Sequence, residues 1–226
     1  MTPWKQELER KLSEPGAPSA LPLTALARTA AIARGGVVPK QTLHQWITDA
    51  CARQRLVLVV RGLYLNRFTS PQGRLADAVP MLRRDAVVSL HTALDEAGVY
   101  NNPPAGVTAI VPLDSGPTRP RVGRIDTAQG AVFIRSTPRR LLEAGDEEDR
   151  LDPLRGRTHP QATAEKALLD WLYLAVSPRS TLAPPAPHDV DSEQLNRQRL
   201  RRLALKTTAH GKPDPRRGGY PDNNRG

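Results

Sequence analysis

Cysteine is almost absent from this chain. Cys51 stands alone among 226 residues, which excludes an intramolecular disulfide and any cysteine-rich zinc site. Its apolar-periodic surroundings predict a small packed residue. The five histidines, His44, His91, His159, His188 and His210, are scattered with no two at metal-ligand spacing, so no metal is expected. Aromatic residues make up only 4%, and the core must therefore rely on Leu, Val and Ala. No apolar run approaches membrane-spanning length, and the opening MTPWKQELERK lacks the hydrophobic region of a signal peptide. A soluble cytoplasmic protein with no membrane partner is expected.

Signs of catalysis are equally sparse. The dipeptide Gly-Ser never occurs, which removes the turn that a nucleotidyltransferase uses beside paired aspartates to hold magnesium on a triphosphate. Asp189-Val190-Asp191 has the carboxylate spacing but stands in Pro-rich sequence. Glu165, Lys166 and Asp170 could suggest a nuclease cluster, yet neighbours on a helix face different directions. Lys166 and Asp170, at i and i+4, instead predict an intrahelical pair. No enzyme activity, catalytic residue or cofactor is expected.

What the chain has in excess is positive charge, +10 overall with a pI near 10.4. Residues 1–70 carry 10 basic against 4 acidic side chains, residues 71–180 carry 14 against 14, and residues 181–226 carry 9 against 5. The excess lies at the two ends. Such a balance points to a polyanionic partner, of which nucleic acid is the commonest.

The stretch from Val37 to Arg67 gives that charge a setting. Leu43, Trp46, Ile47 and Ala50 recur at i, i+3, i+4 and i+7, the stripe of an amphipathic helix starting near Pro39. Gln41, Gln45 and Thr48 lie opposite that stripe, with His44 at its edge. Short donor- and acceptor-rich side chains of this kind suit base edges in a major groove. Leu56–Val60, Arg61-Gly62 and Leu63–Leu65 then read as strand, tight turn, strand. A polar-faced helix beside a basic hairpin is the winged helix-turn-helix arrangement. In that reading Gln41, His44, Gln45 and Thr48 face bases, Lys40, Arg53, Arg55 and Arg67 contact phosphates, and Arg61 at the wing tip skirts a minor groove. The same pattern also fits an ordinary amphipathic helix packed on a hairpin, its polar face merely wet.

Elsewhere the expected order is mixed. A short helix over Trp4–Leu12 is set apart by Pro15, Pro18 and Pro22, and a second helix runs from Leu23 to Arg34, ended by Gly35-Gly36. Helical segments are expected over 74–84, 88–97 and 164–176, with strands at 107–111, 121–125 and 132–135 forming a small antiparallel sheet. Glu143–Asp152 reads as a solvated loop. Helix is expected to return over Ser192–Lys206, with Leu195, Leu200 and Leu203 unevenly spaced. The fold class expected is α+β: residues 1–22 a helix and connector, 23–68 a winged helix-turn-helix, 72–177 a small mixed α+β domain, and 178–226 a Pro-rich linker and basic, mostly disordered tail.

Three segments, spanning roughly residues 23–177, resemble one family, the AbiEi antitoxins of type IV toxin–antitoxin systems. TLHQW…LVLVVRGLYL is similar to the family's reading helix and wing, with Arg61, Gly62 and Tyr64 at matching positions. Val88-Ser89-Leu90-His91-Thr92-Ala93-Leu94 followed by Gly98 resembles the Leu-Ser-x-x-Ser-Ala-Leu pattern of its second domain. Ala164-Glu165-Lys166-Ala167-Leu168-Leu169-Asp170 is similar to its Pro-Glu-Lys-Ala-Leu-Leu-Asp helix, with Ala164 in place of the Pro. The resemblance implies a repressor that binds inverted repeats in double-stranded DNA ahead of its own operon. It also implies a second domain that counteracts a nucleotidyltransferase-like toxin.

Overall fold

The computed structural model describes residues 2–113, 122–153, 158–177 and 182–211, apart from the side chains of residues 208–211. The tail from residue 212 onward lies outside the described residues, as does residue 121 at the start of the expected 121–125 strand. The fold is α+β, as the periodicities predict.

The first body comprises α1 (Pro3–Ser13), β1 (Ala20–Pro22), α2 (Leu23–Arg34), α3 (Lys40–Ala52), β2 (Leu56–Val60) and β3 (Leu63–Asn66). β3 is central in a three-stranded sheet, antiparallel to β1 on one side and β2 on the other. Gly35, at φ 71°, closes α2 in the left-handed conformation that glycine adopts at little cost, and the N–H of Gly36 reaches back to Ala31 O. α3 begins one residue later than expected, with Pro39 as its extended cap. Its apolar stripe, Leu43, Trp46, Ile47 and Ala50, is buried as the spacing predicts.

α1 is not a detached segment. Leu8 and Leu12, 0% and 2% exposed, pack with Leu21, Leu26 and Trp46 in the winged-helix core. The prolines of the connector steer the chain instead of freeing it. Pro22 fits an edge strand, where no ladder donor is demanded of it. Asn66, fully buried, donates to Leu12 O at 2.9 Å and Pro18 O at 3.0 Å, tying the end of α1 to β3.

The second body opens with a 3-10 turn at Leu75–Ala78 and α4 (Val79–Leu82), then β4 (Val87–Val88), α5 (His91–Glu96), β5 (Gly106–Leu113), β6 (Gly123–Thr127) and β7 (Gly130–Pro138). α6 (Arg139–Leu142), α7 (Glu147–Arg150), α8 (Ala164–Ala175) and α9 (Arg197–Gly211) follow. The sheet order is β4-β5-β7-β6. β4–β5 and β6–β7 are antiparallel, but the central β5–β7 pairing is parallel, from Gly106↔Ala131 to Leu113↔Pro138. A side chain at Gly106 would meet Ala131 O at 2.4 Å, so the start of that pairing demands glycine. Ala109 and Val111 of β5 pack with Val79 and Val88, while Ile110 joins the cluster of Leu94, Leu168 and Trp171.

The chain beyond Pro178 differs from the linker expected there. Leu195 and Leu203 are 8% and 0% exposed, and Leu182 and Val190 pack beside Trp171, whose Nε1 donates to Ala183 O at 2.7 Å. The acidic stretch expected as a loop contributes α7, and Asp146 and Asp149 pair with Lys206 and Arg202 of α9. Asp191 caps Glu193 N, and its own N–H donates to Val99 O, so the Asp189-Val190-Asp191 run is structural.

The two bodies share an apolar seam. Val57, Val59, Leu63 and Leu65, on the face of the first sheet away from its helices, pack with Leu75, Ala78 and Leu82. At the β2 edge the β6–β7 turn adds two hydrogen bonds, Ala128 N to Val59 O at 2.9 Å and Gln129 Nε2 to Leu58 O at 3.1 Å. That covers an edge that would otherwise be open to pairing.

Candidate nucleic-acid interface

α3 separates its residues as an amphipathic helix must. With Leu43, Trp46, Ile47 and Ala50 facing inward, Gln41, His44, Gln45 and Thr48 are all exposed on one face. Trp46 anchors the helix from below, its ring stacked on Phe68 with centroids 6.3 Å apart. Two of the four outward side chains already have local partners. Gln45 Nε2 donates to Asp49 Oδ1 at 3.0 Å, and Thr48 Oγ1 donates back to His44 O at 3.0 Å.

The expected cations fall into two groups. Lys40 is exposed at the start of α3 and Arg61 is exposed at the wing turn. Neither is paired with a carboxylate among the described residues, and the same holds for the half-buried Arg67. The other two are engaged. Arg53 bonds Glu9 of α1 at 2.8 Å and also reaches Asp49 O, while the Arg55 guanidinium lies 4.7 Å from the Phe68 ring centroid. Arg53 is thus less ready for a phosphate than its sequence position suggested.

Gly62, at φ 81°, makes the tight turn beside Arg61, and its carbonyl accepts from Leu23 N at 2.7 Å. The wing tip is pinned to the start of α2. Arg28 and Arg34 are exposed on α2 and likewise lack a carboxylate partner among the described residues. Sequence reading passed over them because it looked for charge only on α3 and the hairpin. The signal was available in their spacing, since both fall off the buried positions Leu26 and Ala30.

The second body holds buried polar groups. Lys166 and Asp170 form the expected i, i+4 pair, but inside the protein, and Ser89 Oγ donates to Asp170 Oδ2 at 3.2 Å. Residues from two separate motifs, 88–94 and 164–170, therefore meet. Burial pushes the Asp170 carboxyl up, against Lys166 and Ser89, which favour its ionised form. A cleft of about 200 Å³ opens beside the pair, lined also by Val87, Leu142 and Arg150. Asp77 has a related environment. Burial alone would raise its carboxyl, but hydrogen bonds from His159, Arg74 N and Thr158 outweigh that and hold it below the usual range. His91 lies against Trp171, ring centroids 3.9 Å apart, with burial lowering its pKa. Among the described residues no group of three His, Cys, Asp or Glu side chains could hold a metal, and no helix is long and apolar enough to cross a membrane.

No protein-family model matches the chain, and no curated protein matches it. Among solved structures it is similar to the crystal structure of the RV2827C protein from Mycobacterium tuberculosis, with 16% identity and a TM-score of 0.47. That alignment covers 94% of this chain and 79% of the other, a likeness that assigns neither a family nor an activity.

Proposed function

We propose that this chain is a DNA-binding transcriptional repressor that reads duplex DNA with α3 and steadies itself with the β2–β3 wing. The observation that carries the reading is the exposed face Gln41, His44, Gln45 and Thr48, together with Lys40 and Arg61, exposed cations without a carboxylate partner among the described residues. A surface that only needed solvation would have no use for three uncharged donor–acceptor side chains on one helix face. Phosphate contacts supply affinity and position, and the polar side chains supply the sequence preference. Because Leu23 N holds the wing turn, Arg61 is presented from a fixed backbone. The partner is an operator with inverted repeats, bound in the cytoplasm, and the chain itself performs no catalytic step.

The second half of the proposal is that the 72–177 region gives antitoxin activity against a nucleotidyltransferase-like toxin. It rests on the likeness of residues 88–98 and 164–170 to the AbiEi antitoxins. The meeting of those motifs at Ser89, Lys166 and Asp170 supports it, because it gives them one structural purpose. The cleft beside that cluster favours a second reading, a ligand-binding or interaction module for which the winged helix is only a scaffold.

Fluorescence anisotropy with duplex DNA from upstream of the protein's own gene separates the readings. The repressor binds that duplex over unrelated DNA, and its affinity falls steeply with salt as counterions are released. Equal, weak binding to both duplexes rejects repression. Co-expression with the product of the adjacent gene tests the antitoxin half, which fails if growth arrest by an active toxin is not relieved.

A further inference from the structure

Asp49 is out of place on a surface meant for DNA. It is the only carboxylate on α3, it is exposed, and it stands one turn beyond Gln45 where phosphates would approach. Its unfavourable charge is explained if it performs a task on that face. Its Oδ1 accepts one N–H of the Gln45 amide at 3.0 Å, which fixes which end of that amide points along the helix. Oε1 and the second N–H of Gln45 have no partner among the described residues. Gln45 is also central in the row Gln41, His44, Gln45 and Thr48.

We propose that Gln45 reads an adenine in the major groove and that Asp49 is the positioning residue that sets its amide for that base. The assignment rests on the DNA-reading function of α3 proposed above. Adenine presents the N6 amino donor beside the N7 acceptor, and a glutamine amide meets both at once with its oxygen and one N–H. Asp49 takes one N–H of the amide, and the bidentate contact needs only the other. Guanine offers two acceptors at the same edge and leaves Oε1 opposite another oxygen. Fixing the amide before binding also removes the rotamer freedom that an unrestrained glutamine loses on contact. Thr48 shows the same economy: its hydroxyl proton is used on His44 O, which leaves its oxygen as an acceptor.

The test is selection of binding sites by the full-length protein from a randomised duplex pool, followed by affinities for single-base variants of the selected site. The wild-type protein selects an adenine at one position per half-site and prefers it over other bases on the order of tenfold. Gln45→Ala loses that preference at that position alone. Asp49→Ala moves two readouts in opposite directions: overall affinity rises, because a negative charge leaves the phosphate face, while the adenine preference shrinks several-fold. Asp49→Asn retains an acceptor and keeps the preference. Replacing the adenine with 7-deazaadenine, which lacks the N7 acceptor, weakens binding to the wild type but not to Gln45→Ala. A selected site without such an adenine overturns the assignment while leaving α3 a reading helix, and so does an unchanged preference in Asp49→Ala. Failure to enrich any sequence overturns the reading function itself.

Discussion

Lys166 and Asp170 stand one turn apart on α8 as an ion pair with side chains only 4% and 5% exposed, and Ser89 from a different motif completes the cluster. On a surface, an i, i+4 pair contributes a few tenths of a kcal/mol. Inside the protein each charge depends on the other. Lys166→Met leaves the Asp170 carboxylate buried without its counter-charge, at a cost of about 3–5 kcal/mol. The double variant Lys166→Met/Asp170→Leu recovers most of the loss, because no charge then remains to be solvated. Urea midpoints of the three proteins measure both effects. The sign with pH follows from the raised carboxyl: the folded state takes up a proton more readily than the unfolded one. Stability of Lys166→Met therefore falls as pH rises from the ordinary aspartate range towards the raised folded value, and recovers towards acid.

A second prediction concerns α1. Leu8 is fully buried among Leu21, Leu26 and Trp46, so Leu8→Ala leaves a cavity beneath the winged helix and costs about 2–5 kcal/mol. Thermal unfolding of the full chain measures it, and DNA affinity at low temperature, where the fold persists, is unchanged. If α1 were an appendage, the substitution would shift the midpoint by less than one kcal/mol is worth.

The difference over α1 shows what was legible in the sequence. α3 and the wing could be read because each rests on local rules: a 3.6-residue stripe, a Gly at a tight turn, alternating apolar positions. What α1 packs against depends on β1, whose three residues carry no periodicity and are held in place by β3. The parallel β5–β7 pairing was hidden for a related reason, since β7 enters between β5 and β6 although β6 precedes it in the chain. The helix α9 was expected but its packing was not, because its leucines are uneven and its arginines look solvated; their acidic partner Asp149 lies about fifty residues upstream. At the candidate interface the exposures of Gln41, His44, Gln45 and Thr48 followed from the stripe. The engagement of Arg53 by Glu9 did not, because it joins residues that only the tertiary fold brings close.

That engagement yields a third prediction. Arg61 is free to contact phosphate, so Arg61→Ala weakens duplex binding for all sequences and reduces the salt slope by about one. Arg53→Ala has little effect on the slope, its charge being largely neutralised by Glu9. Glu9→Ala releases Arg53 and steepens the slope. Anisotropy titrations at several salt concentrations report all three, and a larger loss for Arg53→Ala than for Arg61→Ala contradicts the geometry.

The clasp on α9 sets the last expectation. Arg202 donates to Asp149 at 2.9 and 2.5 Å, and these bonds, with the nearby Arg199 and Lys206 charges, hold the Asp149 carboxyl below the ordinary aspartate value of 3.8. A depressed carboxyl stabilises the fold fully above its unfolded value and loses that contribution as pH falls through the folded one. Protonation of Asp149 therefore weakens one of the clasps on α9, leaving the Asp146–Lys206 and Glu165–Arg199 pairs and the buried Leu203 to hold it. Amide exchange in α9, corrected for intrinsic rate, speeds up as pH is lowered from about 5 into the acid side of the ordinary carboxylate range, before α3 loses protection. Asp149→Asn removes the charge at every pH, so its α9 exchanges faster than wild type at neutral pH and shows no separate acid step. Identical protection in the two proteins at pH 7 means that the charge of Asp149 does not hold α9.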